Sequence, residues 1–241
     1  NDSAQVTETN IRRIIASYND ELKRFNAAHS GLAKKQREEL IDGFINNDPT
    51  KIKWTRGLKQ LFAKGRELAF EPECVSKAHY RPFNKRWLYF NRQLNEMVLK
   101  MPSLFPPQVV ENRAICLSSV GSRQGFSLLI TDCVPDLSMV AGNGAGQCFP
   151  LYLYDAASDE EESEDSLFAK KGAKDAAPSH TRRDGISDAG LAHFQAAYPA
   201  PGEGCTLTKE DLFYYIYGLL HSPDYRSRYA EIGRASCRER V

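Results

Sequence analysis

The spacing of large apolar residues changes twice along this chain, and each change limits what it can fold into. From Ile11 they recur at Ile14, Ile15, Tyr18, Leu22 and Phe25. That spacing predicts an amphipathic helix, with Arg12, Arg13, Asp20, Glu21, Lys23 and Arg24 off the stripe. Thr9 is placed to cap it and Gly31 to break it. A second helix is expected over 34–45, with Leu40, Ile41, Phe44 and Ile45 on one side, because Pro49 disfavours helix just before it. A third starts near Thr55, carries Leu58, Leu61 and Phe62, and closes at Gly65. From about Glu67 the pattern shifts to short runs of β formers at 86–90, 114–118, 126–131 and 149–154. Prolines and glycines interrupt these runs, so a compact sheet with irregular loops is expected. A helical period returns after Ser187, at Leu191, Phe194 and Tyr198. It returns again after Thr208, where Leu212, Phe213, Tyr215, Ile216, Leu219 and Leu220 precede Pro223. This last helix is apolar over most of its circumference and is expected to be central to its subdomain.

The chain therefore reads as α+β: N-terminal linking helices, a small mixed sheet with irregular loops, and a C-terminal helical subdomain. The boundaries expected are 1–66 for the helical region, 67–155 for the sheet core, 156–185 for a flexible linker and 186–231 for the helical subdomain. The linker reading rests on composition. Asp155–Asp165 carries seven acids and no base, and beyond it Leu167 and Phe168 are almost the only large apolar residues up to Gly185. Such a segment cannot offset its ordering entropy by burial. The last stretch, 232–241, reads IGRASCRERV and is polar, Arg-rich and abrupt. It resembles the conceptual translation of a sequencing adapter and is set aside as an artefactual tail. With no starting Met, the chain is expected to be a fragment.

Composition removes several function classes. No apolar run approaches the ~20 residues of a membrane span, and the N-terminus lacks the apolar core of a secretory signal. A cytoplasmic location with reduced thiols is the expectation. The six cysteines form no CxxC pair and the five histidines no HxH or HxxxH pair, so metal chemistry has no local support. There is no GxxxxGK[ST], no GxGxxG after a strand and no GxSxG elbow. Gly142–Gly146 is glycine-rich but lacks the helix opening of a dinucleotide site. Asp132 and Asp136 lie near a strand end without the Glu-x-Lys of a nuclease. By itself the chain is expected to be non-catalytic, with no cofactor and no metal.

The informative feature is charge. Between Lys51 and Lys100 twelve Lys/Arg face four acids. Within this stretch His79-Tyr80-Arg81-Pro82-Phe83-Asn84-Lys85-Arg86-Trp87-Leu88-Tyr89-Phe90-Asn91-Arg92 interleaves cations with aromatics and holds no acid. Cations supply phosphate contacts, Arg can fork onto guanine, and aromatics can stack on bases or fill a core. Lys85, Arg86, Arg92, Arg81, Arg113 and Arg123 are the candidate DNA contacts. The loops 119–125 and 141–147 are the expected base readers. Read from residues alone, a half-buried strand with solvated cations fits the same pattern.

Tyr80–Phe90 also resembles the YRPFDxRxxYY motif in the C-terminal part of type ISP restriction-modification enzymes. Three further blocks match in order. Lys53–Lys59 with Lys64-Gly65-Arg66 is similar to KWTRDLKKDLxKGK, Phe149–Tyr154 to FPLYLY, and Thr208–Arg226 to ITKEDIFYYVYGLLHSPxYR. These enzymes fuse a nuclease, a helicase-like ATPase, an adenine-N6 methyltransferase and a target-recognition domain. The resemblance implies that this chain is the recognition part. Its partners would be double-stranded DNA and the upstream methyltransferase and helicase domains of the same polypeptide. S-adenosylmethionine, ATP and Mg would serve the full-length protein rather than this fragment. The family's FxGxG-type and NPPY-type motifs are absent here, and Asn84 stands where the family usually has Asp. The alternatives are a non-catalytic protein-interaction module docking through Leu212–Leu220 and a stand-alone enzyme. The resemblance leaves open whether Pro82 and Phe83 are simply structural, and whether Arg81 and Arg86 touch DNA or a buried carboxylate.

Overall fold

The computed structural model describes residues 3–107, 111–118, 125–140, 146–156, 180–198 and 206–230. It divides into two units, each treated by itself. One comprises Asn1–Ala78 with Lys85–Leu99, the other His79–Asn84 with Lys100–Val241.

The first unit is built on the helical stripe. Helix α1 (Ala4–Ala28) starts six residues earlier than a cap at Thr9 would give. Ser3 caps it by accepting the Val6 N–H at 3.1 Å, while Thr9 lies inside and donates to the Gln5 carbonyl at 2.9 Å. Tyr18, Leu22 and Phe25 are buried, together with Ile41 from α2 (Lys34–Phe44) and Leu58 and Phe62 from α3 (Arg56–Ala63). Leu40, expected on the same side, stays exposed, because the buried face of α2 centres on Ile41. The Tyr18, Trp54 and Phe25 rings all meet Phe62 at centroid distances of 5.3 to 5.7 Å. Two polar side chains of α1 tie this core to the chain after α3. Tyr18 Oη donates to the Arg66 carbonyl at 3.0 Å, and Asn19 exchanges two hydrogen bonds with the Leu68 backbone. Helix α3 ends at Gly65, whose φ of +69° is the left-handed conformation glycine accepts most readily. Arg37 donates to the carbonyls of Ala63 and Phe62 at that end.

After a single turn at Pro72–Cys74, strand β1 (Val75–His79) and strand β2 (Lys85–Tyr89) lie side by side in a sheet. The sequence Val-Ser-Lys-Ala-His carries little β signal. It becomes a strand because β2 supplies its partner.

In the second unit, β3 (Ala114–Ser118) lies between β4 (Leu128–Thr131) and β6 (Gly146–Pro150), antiparallel to both. A two-residue strand, β5 (Val134–Pro135), follows β4. The 149–154 run divides at buried Leu151, whose N–H donates to the Arg113 carbonyl at 2.7 Å. Its second half joins β7 (Tyr152–Ala156), which pairs antiparallel with β8 (His180–Asp184). Both ends of the segment read as linker are thus strand, because backbone pairing does not require the apolar side chains that composition lacks. Gly185 follows β8, and its N–H donates to the Leu151 carbonyl at 2.7 Å. The interior of the linker and the 232–241 tail lie outside the described residues.

A single turn, α4 (Met101–Leu104), is tied to β7 through Asn112. Helix α5 (Asp188–Ala197) is capped by Ser187 as expected, and α6 (Lys209–His221) by Thr208, reciprocally with Asp211. Leu212 and Phe213 are buried, and Phe213 packs with Ile115, Leu128 and Leu151. Tyr215 and Leu219 remain exposed, so α6 covers the sheet with one face only. Pro223 ends α6 and opens a further helix, α7 (Pro223–Arg228), at the position where a missing N–H costs nothing. The α+β reading therefore stands, with small two- and three-stranded sheets among seven helices in the described residues. None of these helices is long and apolar enough to cross a membrane.

Candidate nucleic-acid interface

The basic, aromatic run forms the end of β1, a tight turn and β2. The turn is closed by the Tyr80 N–H, which donates to the Asn84 carbonyl at 2.8 Å. Between them Arg81 and Phe83 both adopt φ of 66°, a region that bulky L residues rarely enter. Pro82 separates them with its φ locked by the ring. The result places Phe83 in water, 92% exposed, rather than in a core. A purely structural role as core filler for Phe83 is thereby set aside. Tyr80 is also exposed, with the Arg81 guanidinium 5.5 Å from its ring centroid.

Beyond the turn, β2 grades from solvent to interior. Lys85 and Arg86 are exposed, Trp87 and Leu88 are half-buried, and Tyr89 is buried. Tyr89 stacks on Phe70, and its hydroxyl accepts the Glu71 N–H at 3.0 Å. Lys77 Nζ lies 5.7 Å from the Trp87 ring centroid. Aromatics at the inner end therefore anchor the strand while cations occupy the outer end. The side chains of Arg81 and Arg86 are exposed. Arg92 is exposed as well.

Arg113 lies just before β3, exposed, with its guanidinium 5.6 Å from the Tyr214 ring centroid. Arg123 lies outside the described residues, as do 119–124 and 141–145 of the two expected reading loops. Their stems are informative. Ser118, the last residue of β3, pairs with Gly146, the first of β6, and Ser118 also exchanges hydrogen bonds with Ser127. Both loop stems therefore leave the same end of one sheet. Phe126, at the foot of one stem, has the Arg226 guanidinium 5.4 Å from its ring centroid. Arg226 is held there by donating to the Leu220 carbonyl at 2.9 Å. Sequence reasoning passed over Arg226 because it lies a hundred residues from Phe126.

The structure also gathers residues that spacing left apart. One ligand atom each from His79, Asp132 and Cys133 lie within 4.8 Å of one another. His79 Nδ1 is 2.7 Å from the hydroxyl of buried Thr131. Among the described residues this is the one group of three His, Cys, Asp or Glu side chains gathered so closely. Nearby, Cys116 and Cys148 face each other across β3 and β6 with Sγ atoms 3.2 Å apart. The hydrogen bond with Cys148, and then burial, push the Cys116 thiol up, while the same hydrogen bond draws Cys148 down.

A family model described as the Type ISP C-terminal specificity domain matches residues 1–232. No curated protein matches the chain. Solved structures do. The cryo-EM structure of the DrdV–DNA complex is similar with a TM-score of 0.68 and 28% identity, over 95% of this chain and 18% of that one. A nuclease-deletion mutant of the Type ISP restriction-modification enzyme LlaGI, in complex with a DNA substrate mimic, gives 0.67 and 28% over 96% of this chain and 17% of that one. The ATP-dependent Type ISP enzyme LlaBIII bound to DNA shares the fold at 0.64 and 23% identity, over 94% of this chain and 12% of that one. The chain spans less than a fifth of the length of each.

Proposed function

This chain belongs to the Type ISP C-terminal specificity domain family, and we propose that its work is to recognise a short sequence in duplex DNA on behalf of a longer restriction-modification enzyme. The observation that carries this reading is the β1–β2 turn, which offers Arg81, Lys85 and Arg86 to solvent in a stretch without an acid. Such side chains neutralise phosphates and set the register of the protein on the duplex. The bases are then read from the end of the sheet where the 119–125 and 141–147 loops are rooted. Recognition positions a target adenine for N6 methylation by the methyltransferase region of the parent polypeptide, and base flipping supplies access to it. In that parent, S-adenosylmethionine provides the methyl group, and ATP with Mg drives the restriction that recognition licenses. The parent works in the cytoplasm, where the DNA is.

The interaction-module reading loses support, because Leu212 and Phe213 are spent on the chain's own core. The test is selection of duplexes from a random pool, followed by gel shift across a salt series. Enrichment of one asymmetric sequence, with affinity falling steeply in salt, is the expected result. Indifference to both sequence and salt would overturn the reading.

A further inference from the structure

We propose that Phe83 is a base-stacking residue, a side chain that the turn holds out to enter a base step of the bound duplex. This rests on the DNA-binding reading above and adds a site to it. Three observations converge. Phe83 is 92% exposed, although a phenyl ring in water is unfavourable and nearby Tyr89 and Phe90 are buried. The backbone that holds it there is strained, since both Arg81 and Phe83 sit at φ of 66°. Strain of this kind persists where the surroundings impose it, and it clusters at ligand-binding positions. The turn is also stiff, clamped by the Tyr80–Asn84 hydrogen bond and by Pro82, so little freedom is lost when the ring inserts.

The surroundings choose the partner. The exposed residues next to Phe83 in the chain are Arg81, Pro82, Asn84, Lys85 and Arg86, two of them polar or apolar without charge and three cationic. A protein-docking face would extend the apolar surface over several side chains. One ring among cations matches a polyanion that also offers flat apolar faces between its charges. Apolar wedges that part base steps in this way are an established device of DNA-bending proteins. The cations hold the backbone on either side while the ring stacks.

The experiment uses a duplex selected from a random pool by the wild-type chain, with 2-aminopurine placed at each adenine in turn. Binding is expected to raise the fluorescence at one step, where stacking between neighbouring bases is interrupted. Phe83→Ala should abolish that rise and weaken binding roughly 5- to 100-fold, with the salt slope unchanged. Phe83→Trp should keep both. Lys85→Ala should do the opposite, flattening the slope by about one unit while the fluorescence rise survives. Circular dichroism checks that each variant is folded, and Phe83→Leu serves should the alanine variant not fold. If wild-type protein binds with a normal salt slope and Phe83→Ala changes neither affinity nor fluorescence, the stacking role is overturned and the DNA reading stands. Loss of association with the methyltransferase region instead, with DNA binding intact, overturns it in favour of a domain contact. Failure of the wild-type chain to select or bind any duplex overturns the DNA reading itself.

Discussion

Tyr80 and Asn84 are joined by a 2.8 Å backbone hydrogen bond, and the three residues between them point outward as a result. Turn closure and ligand presentation are therefore one structural feature: what tightens the turn also keeps Phe83 out of the core.

The cations of this region should act through phosphates. If roughly five of them meet the backbone, log affinity against log salt should fall with a slope of about −4 to −5. Replacing Lys85 or Arg92 with Ala should weaken binding to all sequences alike and flatten that slope by roughly one unit. Charge reversal at both that leaves binding by a folded protein unchanged would remove these residues from the interface. A base reader in the 119–125 or 141–147 loops should instead relax preference at one base pair, by about 1–3 kcal/mol.

Asn112 should be among the costliest polar residues to replace. Its amide donates to the carbonyls of Leu104 and Tyr152 at 2.6 and 2.8 Å, and its oxygen accepts the N–H groups of Arg113 and Tyr152 at 2.7 and 3.1 Å. Asn112→Leu leaves these groups without their partner at a buried position, at about 1–3 kcal/mol for each one that finds no other. Denaturant unfolding should show the loss, and a variant within about 0.5 kcal/mol of wild type would contradict the assignment.

Gly185 is required by space rather than by its backbone angle. A methyl group there would collide with the Pro150 carbonyl oxygen and crowd that of Leu151. Gly185→Ala should destabilise the chain by about 1–3 kcal/mol, since backbone on both sides must move. Thermal unfolding of the two proteins side by side decides this. A neutral substitution would mean that the β7–β8 end is free to shift.

The cap of α6 should be sensitive to acid. Hydrogen bonds from the Thr208 hydroxyl and N–H hold the Asp211 carboxyl below its usual value. A carboxylate lowered by folding contributes stability above the unfolded-state value and loses it as pH falls through the lowered, folded-state value. Asp211→Asn should therefore be less stable than wild type at neutral pH, and the gap should close in strong acid. A gap of constant size across that range would mean the charge plays no part in the cap.

Much of the helical architecture was legible in the chain. The Ile11–Phe25 stripe, Gly65 and the helix starts at Ser187 and Thr208 each act within one or two turns of helix, so their consequences are written locally. Strands fared unevenly for the corresponding reason. Ala114–Ser118 is β-rich enough to declare itself, with the same bounds in the structure, whereas Val75–His79 and His180–Asp184 acquire their strand character from partners elsewhere in the chain. Backbone hydrogen bonding is blind to side-chain composition, so a segment read as linker can still close a ladder.

The family resemblance was likewise a property of the chain, because ordered blocks of residues survive in sequence. Which residues meet in space was not. Phe83 looked equally suited to a core or to a ligand, and only the two left-handed residues and the closed turn put it in solvent. His79, Asp132 and Cys133, with Thr131 behind them, come together only because the chain after β4 returns to His79, whose carbonyl accepts the Asp136 N–H at 2.9 Å. One-dimensional order specifies local propensity; exposure and juxtaposition depend on long-range packing, and these decide which of the available side chains are left facing a partner.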